Sequence, residues 1–390
     1  MRSMKNSADI LRPEVSVPAL YLAFLLFAFI SYRIEDTSRF LGEPTPLTFG
    51  LSLFAIPVLI IFIAVGRKMT PHPYILLAVL PAVASLDLYL ISIPIIAILF
   101  IAGGYAVFLW FAAKRLGDHR LIISLTIILA VISASLVLFN GVPLLDMALR
   151  QSIAVTPQRA IFHGSAVIAA TMSILFYGKR IFIPVISLLT FMALLLGFKS
   201  DAIAILLSAG IAGLLVGKIW LKGSSIILLS IVLILNVIGT YMATATATMA
   251  DNTWDISPLF YIFYRAGFTL SVFDEIVRLS FPYGYAYGQV LLSPTQEVMG
   301  MEVFQYKHII TSTIIGPGML DFGVPGLILT CAFIGTCLGM MHDLKNKLQV
   351  CFYAMALAHT FILIEVGLQL SSILWYLSLL YFSVASRESN

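Results

Sequence analysis

Two arginines, Arg159 and Arg265, have no acidic residue within four positions on either side. A helix brings residues at that spacing together, so neither guanidinium has a counter-charge close by in sequence. Arg265 lies in the apolar, aromatic run 259–268. A guanidinium there must either reach a distant carboxylate or hold an anion, and both readings stand. For Arg159, snorkelling to a membrane interface is the simpler reading. Arg150 and Arg278 differ. Arg150 follows Asp146 by four positions, and Arg278 follows Asp274 by four and Glu275 by three. Both spacings predict structural ion pairs.

Other ionisable residues stand inside or beside apolar runs. Asp87, His163 and Lys199 fall near the ends of such runs, Glu365 in one half of its run and His359 closer to the middle. Charge within a membrane is expensive and usually faces a cavity or a partner. These groups tilt towards one leaflet, which suggests a reaction centre at that interface. A transmembrane proton relay would spread its groups through all depths. His308, beside Lys307, precedes a late apolar run. Its imidazole suits a general base or a hydrogen-bond donor to phosphate, and a solvated loop histidine is the plain alternative. The stretch 281–288, Phe-Pro-Tyr-Gly-Tyr-Ala-Tyr-Gly, includes Tyr285 and Tyr287. Flat rings beside glycines suit stacking on sugars; an aromatic belt at the interface is the alternative.

Several patterns carry no chemistry. Asp321-Phe-Gly323 lacks the other parts of a kinase site. No Walker A, Asp-x-Asp or His-Glu-x-x-His motif occurs. The histidines are dispersed, so no metal centre is expected. Cys331, Cys337 and Cys351 have neither metal-ligand nor disulfide spacing.

The elements that carry these residues follow from composition. Hydrophobic residues make up 60% of 390 and charged residues 11%, against roughly a quarter charged in soluble domains. Such a chain needs lipid as its solvent. Basic residues are scattered rather than clustered, so nucleic acid is not an expected partner. Apolar runs long enough to cross about 30 Å of hydrocarbon occur at 15–32, 47–65, 74–92, 94–113, 121–139, 160–177, 181–198, 202–216, 223–244, 314–341, 351–367 and 371–386. The expectation is an all-α polytopic membrane protein of about 12 transmembrane helices, forming a single integral membrane domain. The first run is read as an anchor rather than a cleaved signal, because no small-residue cleavage pattern follows it. With a cytoplasmic N-terminus, fifteen of the 23 Lys and Arg fall on inner segments and eight on outer ones, as the positive-inside rule requires. Both termini are then cytoplasmic. Two outer loops are enlarged, 140–159 and 245–313, and loops on a rigid scaffold commonly carry function. No internal repeat of the transporter kind is visible.

At this point the residues resemble a family, the O-antigen polymerases and ligases. The run from His308 through Gly316-Pro-Gly-Met-Leu-Asp321-Phe-Gly323-Val-Pro-Gly326 is similar to the segment that leads from that family's outer loop into a late helix. Asn140-Gly-Val-Pro-Leu-Leu145 followed by Arg150 looks like its Gly-x-Pro-Leu-Leu plus Arg element. Gly197-Phe-Lys199-Ser-Asp201 is similar to its Gly-x-Arg-Ser helix boundary, with Lys in place of Arg. The 283–288 stretch fits its aromatic-glycine segment. Ligases commonly follow the loop His with Asn; Ile309 stands here, which favours a polymerase.

The resemblance implies a GT-C-like fold in the inner, cytoplasmic membrane. It also implies a metal-independent glycosyl transfer on the outer face, with no cofactor. A chain on a polyprenyl pyrophosphate is moved to a hydroxyl of a new lipid-linked repeat unit. The expected partners are polyprenyl-pyrophosphate-linked oligosaccharides and membrane lipid, with a chain-length regulator as a further candidate. The site it implies has His308, Arg265 and Glu365 in catalysis, with Asp87 a further base candidate. Arg150, Arg159, Lys199, Arg278, Tyr285 and Tyr287 would bind pyrophosphate or sugar. Arginine forks suit a pyrophosphate leaving group, because they bind its oxygens in pairs and neutralise the charge that develops. Three other readings remain: a ligase, a glycosyltransferase using polyprenyl-phosphate sugars, and a lipid-linked sugar flippase. For the second, Glu35 and Asp36 in the first outer loop are the feature to weigh, but Arg33 and Arg39 flank them. A flippase should show charges at the midplane and on both faces.

Overall fold

The computed structural model describes residues 9–34, 42–90, 94–154, 156–219, 257, 260–291 and 311–388; nothing is stated of side chains 86–90, 147 and 151. Every regular element among them is a helix: α1 Pro13–Ser31, α2 Pro46–Lys68, α3 Pro73–Leu90, α4 Ile95–Lys114, α5 His119–Leu138, α6 Met147–Ile153, α7 Pro157–Phe176, α8 Lys179–Leu195, α9 Lys199–Leu215, α10 Tyr261–Ser280, α11 Gly316–Met341, α12 Lys347–Val366 and α13 Leu370–Glu388. Eleven of the twelve apolar runs coincide with a helix, and the run 223–244 lies outside the described residues. Seven helices, α1, α2, α4, α5, α7, α11 and α12, are long and apolar enough to cross a membrane. The protein is an all-helical, multi-pass membrane protein.

The chain divides into two compact units. The first comprises residues 1–11, 26–41 and 118–267, and α7 is its most buried spanning helix, packed on α5, α8 and α9. The sequence of α7 explains this position. Ser165, Ala166, Ala169, Ala170, Thr171 and Ser173 are buried along it, and small residues let helix backbones approach closely in lipid. Their hydroxyls return to the helix itself: Ser165 to the Ile161 carbonyl at 2.5 Å, Thr171 to that of Val167 at 2.7 Å. No polar group there needs water. The rings of His119 and Phe176 stack at 4.4 Å, which sets the start of α5 beside the end of α7. These two helices therefore run antiparallel.

The second unit comprises residues 12–25, 42–117 and 268–390, and its centre is the packing of α11 on α2. Gly335 and Gly339 form a small-xxx-small pair against α2. A Cβ at Gly335 would stand 2.8 Å from the Leu59 carbonyl oxygen, and one at Gly339 would overlap that of Ile63. Asn346 and Gln349 form a capping box that starts α12. At the same end, Arg67 pairs with Glu14 at 2.7 Å and meets His342 Nδ1 at 3.3 Å. Burial, with the Arg67 charge beside it, pushes His342 down to about 4. By contrast α4 turns most of its surface outward, as a lipid-facing helix does. Within the enlarged segment 245–313, α10 is a helix that falls outside the seven apolar ones.

Candidate functional site

The first unit gathers four predicted or conspicuous residues around one carboxylate. Pro157 at the first position of α7 fixes its start. Arg159 and His163 then lie four apart, on one face of the first two turns. The turn between α8 and α9 runs through Gly197 at φ +76, which delivers Lys199 and Asp201 to the first turn of α9. Asp201 is 1% exposed. It accepts from Arg159 Nε and Nη2, both at 3.3 Å, and from His163 Nδ1 at 3.0 Å. Arg159 Nη1 donates to the Ala154 carbonyl at 2.6 Å, and the guanidinium lies 3.6 Å from the centre of the Phe198 ring. Lys199 Nζ donates to Tyr261 Oη at 3.1 Å.

Arg150 completes the cluster from α6. Its stem passes Gly197, where a Cβ would approach Arg150 Cδ to 3.0 Å and the positive φ disfavours any side chain. Its Nη1 is buried and has no hydrogen-bond partner among the described residues. Burial lowers its pKa from the ordinary guanidinium value; nearby Tyr261 opposes that shift and Arg159 adds to it. A buried donor of this kind costs free energy until an acceptor arrives. Among the described residues, three cations, Arg150, Arg159 and Lys199, stand with the one carboxylate of Asp201, so the cluster carries excess positive charge.

This geometry changes two expectations. Arg150 forms no ion pair with Asp146 among the described residues. Asp146 Oδ1 instead accepts from Leu149 N at 3.0 Å and caps the short helix α6, and that frees the guanidinium to turn inward. Arg159 does not simply snorkel, since it reaches Asp201, 42 residues away. The local rule held for Arg278, whose Nε lies 2.8 Å from Asp274 and 4.0 Å from Glu275. Asp274 Oδ1 also accepts from Thr45 N at 2.7 Å and Thr48 Oγ1 at 2.5 Å, tying α10 to the start of α2 within the second unit.

The remaining predicted residues fall elsewhere. Arg265 is half-buried on α10, in the part belonging to the first unit, and it is engaged in an interaction there. Glu365, half-buried in the last turn of α12, belongs to the second unit and is likewise engaged. His308, Glu35, Asp36 and Arg39 lie outside the described residues, as does the side chain of Asp87. Among the described residues, no group of three or more His, Cys, Asp or Glu could hold a metal ion. Asp201 and His163 are the site residues that sequence reasoning left unassigned. The spacing of Arg159 and His163, and an acid next to Lys199, were the available signals.

The aromatic stretch forms a separate feature in the second unit. Tyr283, Tyr285 and Tyr287 are 84%, 53% and 78% exposed. Their backbone is pinned to the start of α11. Tyr285 N and Ala286 N donate to the Leu320 carbonyl at 2.7 and 3.1 Å, and Tyr287 N to that of Asp321 at 3.1 Å. The buried Asp321 carboxylate accepts from Val290 N at 3.1 Å and Leu291 N at 2.6 Å. Asp321-Phe-Gly323 is thus a backbone clamp. Gly323, at φ +64, breaks α11 where Val324 N donates to the Pro282 carbonyl.

A multi-pass helical membrane protein with a positively charged cluster at the starts of two helices is the class these features define. The chain belongs to the O-antigen polymerase family: residues 11–377 match the family model described as "Putative O-antigen polymerase". It is similar to "Uncharacterized protein MJ0420" of Methanocaldococcus jannaschii, with 24% identity over 288 residues, 72% of this chain and 70% of that protein. No solved structure matches.

Proposed function

We propose that this protein polymerises lipid-linked oligosaccharide repeat units on the outer face of the cytoplasmic membrane. It transfers the growing chain from a polyprenyl pyrophosphate to a hydroxyl of a lipid-linked acceptor. The observation that carries this reading is the buried Arg150 Nη1 without a partner among the described residues, inside a cluster of excess positive charge. A pyrophosphate leaving group supplies the missing acceptors. Its charge grows as the glycosidic bond breaks, and fixed cations stabilise that charge without reorganising. Lys199 and Arg159 shape the cradle, and Arg265 is a further cation for the same leaving group. Tyr285 and Tyr287 offer exposed rings to sugar faces. His308 and Glu365 are the base candidates given by the family resemblance.

The reading is tested by deleting the gene and running surface glycolipid on a gel. Loss of a polymerase leaves lipid core capped by one repeat. Lipid core with no attached repeat would point to a ligase or flippase and overturn the proposal.

Orientation is tested by labelling. The charge distribution supports the reading that both termini are cytoplasmic. Cys331, Cys337 and Cys351 are all buried, so one introduced cysteine reads against a low background. Leu145→Cys, at an exposed position, should react with an impermeant maleimide in cells with a permeable outer barrier. Gly117→Cys should react only after lysis. The reverse pattern would invert the topology.

Arg265→Ala is expected to abolish polymer at unchanged protein level, with Arg265→Lys a poor rescue, because Lys keeps the charge but loses the planar fork. Arg278→Ala should be mild. Its side chain is 53% exposed, and exposed ion pairs contribute about 0–1 kcal/mol. Both are read by polymer length on gels and by immunoblot. Equal activity of Lys and Arg at 265 would remove the bidentate role.

A further inference from the structure

Asp201 already receives two N–H groups from Arg159, which is a sufficient counter-charge for a purely structural carboxylate. The structure nevertheless sets a second, titratable donor against it. His163 Nδ1 lies 3.0 Å from Asp201 Oδ1, with the His163 side chain 26% exposed and that of Asp201 2%. We propose that His163 is the general base of glycosyl transfer and that Asp201 is its positioning residue. The proposal rests on the polymerase reading above.

A neutral imidazole that donates Nδ1–H to a carboxylate carries its lone pair on Nε2, so the contact with Asp201 selects the tautomer able to take a proton. Asp201 is a poor base itself, because it is buried and accepts from two side chains at once. It can instead balance the imidazolium that forms 3.0 Å away. Arg159 holds Asp201 from the other side and is itself held by Ala154 and Phe198. The dyad is therefore fixed before substrate arrives, and fixed geometry is what a base needs.

In the proposed step, the acceptor hydroxyl oxygen bonds to the donor's anomeric carbon and its proton passes to His163 Nε2. The bond from that carbon to the pyrophosphate oxygen breaks, and its electron pair leaves on the pyrophosphate, whose charge Arg150 meets. The proton later leaves His163 to bulk water, so atoms and charge balance.

Among the described residues, the ionisable groups that share this cluster with His163 include Arg159 on its own helix, Asp201 and Lys199 on α9, Arg150 on α6 and Tyr261 on α10. The other helices packed on α7 carry theirs at the opposite end of the bundle: His119 and Arg120 begin α5, and Lys179 and Arg180 begin α8.

The experiment uses purified full-length protein and lipid-linked repeat units. Wild type, His163→Asn and Asp201→Asn are assayed for kcat and KM between about pH 5 and 8. His163→Asn keeps an N–H for Asp201 but cannot accept the proton. It should bind inorganic pyrophosphate as wild type does, lose about 100-fold in kcat and lose the rising pH limb, with KM little changed. Asp201→Asn should shift or flatten that limb. A His163→Asn enzyme that keeps the wild-type rate and limb overturns the proposal. So does a wild-type rate that is flat across this range, a measurement that needs no variant to fold. Failure of the polymerase reading looks different: wild type then makes no polymer at any pH, and the assigned step falls with it.

Discussion

Arg150→Ala should leave lipid core capped by a single repeat, with polymer formation reduced about 100- to 1000-fold, the usual cost of removing one donor that stabilises a developing anion. The protein should be no less stable for the change. Arg150 buries a guanidinium nitrogen for which no partner exists among the described residues, and removing such a group relieves a desolvation cost. Arg150→Met is the cleaner comparison, because it keeps an apolar stem beside Gly197. The Met variant should melt at or above the wild-type temperature while failing to polymerise. A variant that melts lower and keeps its polymer would mean that Arg150 is a structural residue.

Gly323→Ala should damage the second unit by about 2–4 kcal/mol. The new methyl would overlap the Pro282 carbonyl, and the backbone there has φ +64 with ψ −143, a conformation that suits glycine alone. Val324 N and its bond to Pro282 would have to move, and the aromatic stretch would detach from α11. Thermal unfolding in detergent, together with protease cleavage within 281–291, reads this directly. An Ala variant with wild-type melting and protection would show that the kink is dispensable.

The helical scaffold was legible because lipid leaves the backbone of a long apolar run few choices, and the family was legible in the motifs at 140–150, 197–201, 283–288 and 308–326. The Arg278–Asp274 pair was legible for a similar reason, since both partners share one helix and the spacing fixes their meeting. The same rule failed for Arg150, because Asp146 stands at a helix start and its carboxylate serves the backbone first. Asp201 was hidden by distance. Its partners lie 42 and 38 positions back in the chain, and only the antiparallel turns of α7, α8 and α9 bring them together. The spelling Asp321-Phe-Gly323 gave no sign of its work as a clamp, which shows in the hydrogen bonds to main-chain nitrogens that side-chain spelling cannot reveal.

That clamp separates shape from specificity. The contour of 283–291 is written in main-chain hydrogen bonds, one buried carboxylate and glycines, while the three tyrosine rings that face outward take no part in holding it. Each ring can be exchanged without refolding the segment. If sugars stack on these rings as proposed, a lineage, or an experimenter, can therefore retune which sugars the surface favours one side chain at a time, keeping the mounting fixed while the tools on it change.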